Sequence, residues 1–177
     1  CISSQVGCSV DCKFCATGEM GFMRNLSSGE IIDQFIEIAK MREEPITNVV
    51  YMGMGEPFLN YNEVIKSAEI LHDPQGMNLG RKKITISTSG ILPKIKKFIQ
   101  DKEPYKLAIS LNATEDATRT KIMPINKKWN IEMLIKELDK YPHDKKNMIM
   151  LEYVLLKGIN DTKNDAETVS YTHLTLP

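Results

Sequence analysis

Cys8, Cys12 and Cys15 stand in the spacing Cys-x-x-x-Cys-x-x-Cys, with Phe14 directly before the last. Thiolates from one short loop can hold three corners of a four-iron cluster. Such clusters commonly take four cysteines, so the remaining iron would lack a protein ligand. An open coordination position is where substrate chemistry takes place, in contrast to a closed structural site. The spacing therefore points to a redox cluster that binds and cleaves a substrate at its unique iron. Structural zinc, free thiols or a redox dithiol of Cys12 and Cys15 are the alternatives on the same residues. Zinc usually pairs one Cys-x-x-Cys with a second such pair or with histidines. No second pair is present, and His72, His143 and His173 are scattered. Zinc is the lesser reading.

The elements that must carry this loop alternate. Ser27-Ser28-Gly29-Glu30 offers a capping box ahead of a helix with Ile31, Phe35, Ile38 and Ala39 at helical spacing. Asn48–Met54 reads as a buried strand ending in Gly55-Glu56-Pro57, and 62–71 as a helix with Pro74 beyond it. A β-branched strand at 83–87, a helix at 92–99 and a strand at 106–111 follow. Next come a helix capped by Asn130 and a strand at 148–156. Strands alternating with helices imply right-handed βαβ units and a parallel sheet. Counting the region around Cys1–Val6, the expectation is an α/β fold of about five strands, short of an eight-fold barrel. Such sheets place chemistry at the C-terminal ends of their strands. Four polar clusters fall there: the cysteine loop, Gly55-Glu56, Ser87-Thr88-Ser89-Gly90 and Ser110-Leu111-Asn112.

Composition narrows the class. The chain of 177 residues is one domain by size, with 42% hydrophobic and 26% charged residues. No apolar run reaches the roughly 20 residues that span a bilayer, and the opening CISSQVGC is no signal peptide. Starting on Cys1 rather than methionine, it reads as an internal fragment. All four cysteines fall within the first fifteen residues, a poor layout for disulfide stapling, and the expectation is a cytoplasmic protein without a membrane partner. Net charge is zero, yet Glu30–Asp73 carries nine acids against three bases and Arg81–Lys106 eight bases against two acids. Solvated helix faces are the ordinary reading of such blocks, and a polyanion-binding face needs further support. The ten methionines read as core filler, Trp129 as packing behind the next helix, and His72 as a helix end.

The cysteine motif with its aromatic neighbour resembles the radical S-adenosylmethionine (SAM) superfamily. The string CISSQVGCSVDCKFCATGEMGFMRNL, with YMGMGEP, ITISTSG, LAISLNA, IMPINKKWNI and EYVLLKGIND in order, resembles its RlmN/Cfr family of RNA adenine methyltransferases from Cys1 to about Glu167. The resemblance implies a partial (β/α)6-type radical SAM barrel over residues 1–168. Cys8, Cys12 and Cys15 would ligate a 4Fe-4S cluster, and its unique iron would hold the amino and carboxylate groups of S-adenosyl-L-methionine. Gly55 and Glu56 match the cofactor-binding pair, Ser87 a second contact, and Ser110, Leu111 and Asn112 a third toward the nucleoside. Cys1, seven residues before Cys8, matches a catalytic thiol outside the cluster. In the family scheme a C-terminal cysteine is first methylated, and the radical from a second SAM then abstracts hydrogen from that methyl group. The resulting carbon radical adds to adenine. The thiol matching Cys1 helps resolve the crosslink, ending in a disulfide.

The implied partners are 23S rRNA, with tRNA as a further candidate, and an electron donor such as flavodoxin, acting on a monomer. GEMGFMRNL and GMGEPFLN resemble the adenine-C2 enzymes more than the adenine-C8 ones of the Cfr type. Arg81-Lys82-Lys83, Lys94-Lys96-Lys97 and Lys121 to Lys128 become candidate phosphate contacts. The sequence also departs from the family. No cysteine follows Cys15, so the methyl-carrying residue is absent, as are the last barrel strand and an N-terminal accessory domain. Methyl transfer by this polypeptide alone is expected to fail. VSYTHLTLP at 169–177 breaks the helical pattern begun at Asp161 and resembles translated sequencing-adapter sequence. A non-catalytic metal-binding or redox module is the competing class.

Overall fold

A computed structural model describes residues 1–141 and 149–175, the last four by backbone alone. Four parallel strands form the main sheet in the order β3 (Val49–Tyr51), β4 (Ile84–Thr88), β5 (Lys106–Ser110) and β6 (Met150–Glu152). Between them run α3 (Tyr61–His72), α4 (Leu92–Gln100), α5 (Asp116–Ile122) and α6 (Ile131–Leu138), the crossovers that parallel neighbours require. Ahead of the sheet, β1 (Gln5–Gly7) and β2 (Phe22–Asn25) pair as an antiparallel hairpin around α1 (Ala16–Glu19), and α2 (Ser28–Lys40) follows.

The expected fifth strand is only partly formed. Ile2 N–H donates to Val50 C=O at 3.0 Å, and Gly53 N–H donates to Ile2 C=O at 3.0 Å, so the chain starts alongside β3. It then diverts into the hairpin, where Ser4 and Gln5 N–H both reach Met54 C=O. The long strand expected at Asn48–Met54 shortens for the same reason: after Tyr51 its backbone bonds the N-terminal segment. Residues 142–148, which include the start of the last expected strand, lie outside the described residues. The tail is a correction: α7 (Lys163–Thr175) runs as far as Thr175 into the segment expected to leave helical conformation. Thr162 Oγ1 accepts from Asp165 N–H, and Asp165 Oδ2 accepts from Thr162 N–H, a reciprocal start that outweighs the β propensity beyond it.

Period-two alternation divides the sheet into two faces. Ile84, Ile86, Leu107 and Ile109 point into the helical layer, where Ile31 and Phe35 of α2, Val64, Ala68 and Leu71 of α3, and Ile95 and Phe98 of α4 are buried with them. The register pairs Ser87 with Ala108 and Ser110 with Glu152, so small and polar residues share the opposite face. One face builds the core, and the other faces the cysteine loop.

Candidate active site

The loop between β1 and α1 carries the three thiols. Cys8 N–H donates to Gly21 C=O at 3.0 Å and Cys15 N–H to Cys12 C=O at 3.0 Å, which curls the loop. Lys13 N–H donates to Ile122 C=O at 2.8 Å and seats it on the end of α5. Asn60, buried at the head of α3, donates through Nδ2 to Ser4 C=O at 2.8 Å and Leu26 C=O at 2.7 Å, tying the hairpin base to the sheet.

Cys8, Cys12 and Cys15 line a cavity of about 420 Å³ together with Gly55, Glu56, Ser87, Ser89, Ser110, Asn112, Glu152 and other strand-end residues. Among the described residues no three His, Cys, Asp or Glu side chains gather around a single ion position. The three thiols all line the wall of this cavity. Burial pushes the Cys12 thiol up to about 12, with the charges of Cys8, Cys15 and Glu56 adding to it and Arg119 alone opposing. Cys8 is raised mainly by burial as well. Metal ligation must therefore supply the driving force for deprotonation.

Glu56 is held at both oxygens: Oε1 accepts from Phe58 N–H at 2.9 Å and Oε2 from Ser89 N–H at 2.7 Å. Its own N–H donates to Gln5 Oε1 at 2.8 Å. Burial drives its carboxyl upward, opposed by Ser89, Thr88 and Phe58. A carboxylate set deep beside a cavity is matched by a ligand ammonium, which would offset the desolvation. Gly55 has φ +97°, and a Cβ there would sit 2.5 Å from Gln5 Cβ. The close approach it permits is thus by Gln5, the residue that orients Glu56.

Ser87 Oγ donates to Glu152 Oε2 at 2.6 Å, and Ser110 Oγ donates to the same oxygen at 3.1 Å. Glu152 was not marked by the sequence reading, although a lone acid inside MIMLEYVLL at a strand end was the available signal. Asn112 takes the left-handed region at φ 57°, with Oδ1 accepting from Val154 N–H at 2.9 Å and Nδ2 facing Met123 Sδ at 3.3 Å. Its side chain closes the wall. Leu111 is buried and stays off the cavity lining; its N–H donates to Glu152 C=O and its C=O accepts from Arg119 Nε. Ser89 Oγ, buried at the cavity near the Glu56 carboxylate, makes no well-formed hydrogen bond among the described residues. An unsatisfied hydroxyl of this kind is fitted to a polar ligand group. The cysteines, Glu56, Ser87, Ser110 and Ser89 therefore suit a cluster and an amino-acid-bearing nucleoside ligand in donor type and placement.

Two sets of expected residues lie elsewhere. Cys1 is exposed and lines a second cavity of about 330 Å³ with Phe35, Ile38, Arg42 and Ile46, beside the start of β3 rather than its C-terminal end. No lysine or arginine of the basic segments lines the cysteine cavity. Arg81 donates to His72 Nε2 at 2.8 Å, and Lys94 and Lys97 lie 5.3 and 5.6 Å from the centroid of the Tyr61 ring.

Known proteins resemble this chain in sequence and in fold. A relative from Aquifex aeolicus (strain VF5) called "Probable dual-specificity RNA methyltransferase RlmN" is 49% identical over 173 residues, covering 96% of this chain and 50% of the relative. One from Buchnera aphidicola subsp. Schizaphis graminum (strain Sg), "Dual-specificity RNA methyltransferase RlmN", is 48% identical over 175 residues, covering 94% and 48%. The chain thus spans about half the length of these curated relatives. A crystal structure of a radical SAM methyltransferase from Sphaerobacter thermophilus superposes with TM-score 0.91 at 41% identity, covering 97% of this chain and 51% of that one. A family model described as "Radical SAM superfamily" matches residues 2–168. Cysteine loop, strand-end cavity and parallel sheet agree with that match, and the chain belongs to the radical SAM superfamily.

Proposed function

We propose that this chain is part of an RNA methyltransferase of the RlmN type, acting on the C2 carbon of an adenosine in 23S rRNA, with tRNA as the further substrate. The observation that supports it most is the meeting of Cys8, Cys12 and Cys15 with Glu56, Ser87 and Ser110 around one cavity. When bound, a 4Fe-4S cluster would supply the electron that cleaves the sulfonium of S-adenosyl-L-methionine and yields a carbon radical. The chain's residues would do the rest. Cys8, Cys12 and Cys15 hold the cluster at the loop, Glu56 takes the ligand ammonium, and the Ser87–Glu152–Ser110 group presents polar atoms to its nucleoside end. Apolar Val10, Phe14 and Met123 on the same wall limit water, which would otherwise quench a radical.

Cys1 enters this reading through its spacing to Cys8 alone. No cysteine follows Cys15 in these residues, so methyl transfer by this polypeptide alone is expected to stop before RNA is modified. Anaerobic reconstitution with iron and sulfide tests the core claim: about four irons per chain are expected, lost when the three cysteines become alanine. Stoichiometric zinc without iron uptake favours the metal-binding module instead. Mass spectrometry of RNA treated with the full-length protein then separates C2 from C8 methylation.

A further inference from the structure

Arg119 is the largest fully buried side chain among the described residues, at 0% exposure, although it sits among polar neighbours in EDATRTK. Its four hydrogen bonds all go to uncharged oxygens: Nε to Leu111 C=O at 2.9 Å, Nη1 to Asn126 Oδ1 at 2.9 Å, and Nη2 to Ser89 C=O at 2.8 Å and Ser110 C=O at 3.0 Å. Asp116, the acid on its own helix, instead accepts from Asn126 Nδ2 at 2.9 Å and Ile131 N–H at 3.0 Å. A buried guanidinium without an ion-pair partner is costly unless an anion compensates it.

The cysteine loop lies against the same helix. Lys13 N–H bonds Ile122 C=O, and Cys12 and Phe14 pack on Ala113, Ile122 and Met123. Arg119 also ties together the turns after β4 and β5 that line the cavity. The acid beside the thiols is Glu56, and ligated thiolates would add further negative charge. Burial lowers Arg119 to about 10, opposed in part by the charge of Asp116, and it remains a cation at neutral pH.

We infer that Arg119 is a positioning residue that supplies the buried counter-charge for the anionic iron–sulfur cluster held by Cys8, Cys12 and Cys15, raising its reduction potential. This rests on the radical SAM reading of the loop. Reduction brings in one electron and no proton, so it adds one negative charge to a group that three thiolates already make anionic. A fixed cation favours that step, and net charge and surroundings are what tune such clusters. The carbonyls that bind the guanidinium hold it in place without neutralising it.

The test uses the anaerobically reconstituted protein with Arg119→Met and Arg119→Lys. Iron content is measured first, then the midpoint potential by titration with a one-electron reductant followed by electron paramagnetic resonance. The expected result is a full cluster in all three proteins, a shift to more negative potential in Arg119→Met, and recovery of most of that shift in Arg119→Lys. Thermal stability should fall in both variants, since neither reproduces the guanidinium fork. An unchanged potential in Arg119→Met with its cluster intact overturns the inference and leaves Arg119 as structural glue. A wild-type protein that binds no cluster overturns the reading of the loop itself. Should Arg119→Met not fold, Arg119→Gln keeps an N–H donor for the same carbonyls without the charge, and its potential decides.

Discussion

At Glu152 two hydroxyl protons converge on one carboxylate oxygen, and the consequence reaches both serines. Ser87 and Ser110 spend their donors on Oε2, so what they offer the cavity is acceptor lone pairs, while Oε1 is engaged by neither. A ligand that meets this group must bring donors, as sugar hydroxyls do. Glu152→Gln keeps the shape but turns one acceptor position into a donor, whereas Glu152→Ala removes the anchor. Loss of charge-assisted bonds of this kind costs about 2 kcal/mol, roughly thirtyfold in Kd. Equilibrium binding of S-adenosyl-L-methionine to the reconstituted protein should weaken by that order in Glu152→Ala, with cluster content unchanged. Equal affinity in wild type and variant would show that the carboxylate does not face the ligand. Glu56→Gln is expected to act differently, since its amide loses the charge that attracts the ligand ammonium and turns an N–H toward one of the two backbone donors at Phe58 and Ser89. Binding should be weakened and the Ser89 turn loosened together, seen as lower affinity and a lower melting temperature.

Among the elements, α2 shows how local chemistry sets a helix that the site depends on. Ser27 Oγ accepts from Glu30 N–H, Glu30 Oε2 accepts from Ser27 N–H at 2.9 Å, and Arg24 clamps both Glu30 oxygens at 2.9 and 2.7 Å. The cap thereby joins β2 to α2. Ser27→Ala should lower unfolding stability by about 1 kcal/mol, measured by urea denaturation at neutral pH. Glu30 is depressed from 4.5 to about 2, first by the Arg24 hydrogen bond and then by Ser27. A depressed carboxyl stabilises the fold above its unfolded value, and that contribution is lost as pH falls from about 4.5 through about 2. Glu30→Gln should therefore lose less stability than wild type on going from neutral pH into that window. This cap was legible in Ser27-Ser28-Gly29-Glu30, as was the Asn130 cap, whose Oδ1 accepts from Met133 N–H at 3.0 Å. Both lie within four residues of their partners. The N-terminal hairpin was not legible, because Gly7 meets Gly21 and Ile2 meets Val50 only after the chain has turned back. The cavity residues were legible as strand ends in order. Arg119 was hidden, since nothing local marks a helical arginine as buried when its four acceptors lie at residues 89, 110, 111 and 126.

For the whole molecule, the two faces of the sheet have unequal debts. The helical face is closed by apolar packing. The other face keeps a buried Glu56 and a Ser89 hydroxyl without a well-formed hydrogen bond among the described residues beside a cavity, and groups of this type cost stability until something polar meets them. Anything that binds the folded state and not the unfolded chain adds stability by mass action, about 2.7 kcal/mol at a hundredfold excess over Kd. The melting temperature should therefore rise in two steps. Anaerobic cluster loading should give the first, because Cys8, Cys12 and Cys15 fasten the loop that Lys13 seats on α5. S-adenosyl-L-methionine should give the second, and only in the loaded protein, because its amino-acid end needs both the open iron and Glu56. A variant with all three cysteines changed to alanine should show neither rise. If S-adenosyl-L-methionine raised the melting temperature of that variant as much as that of loaded wild type, the ligand would be held by the strand ends alone. The link between cysteine loop and polar face would then be one of proximity, without energetic coupling.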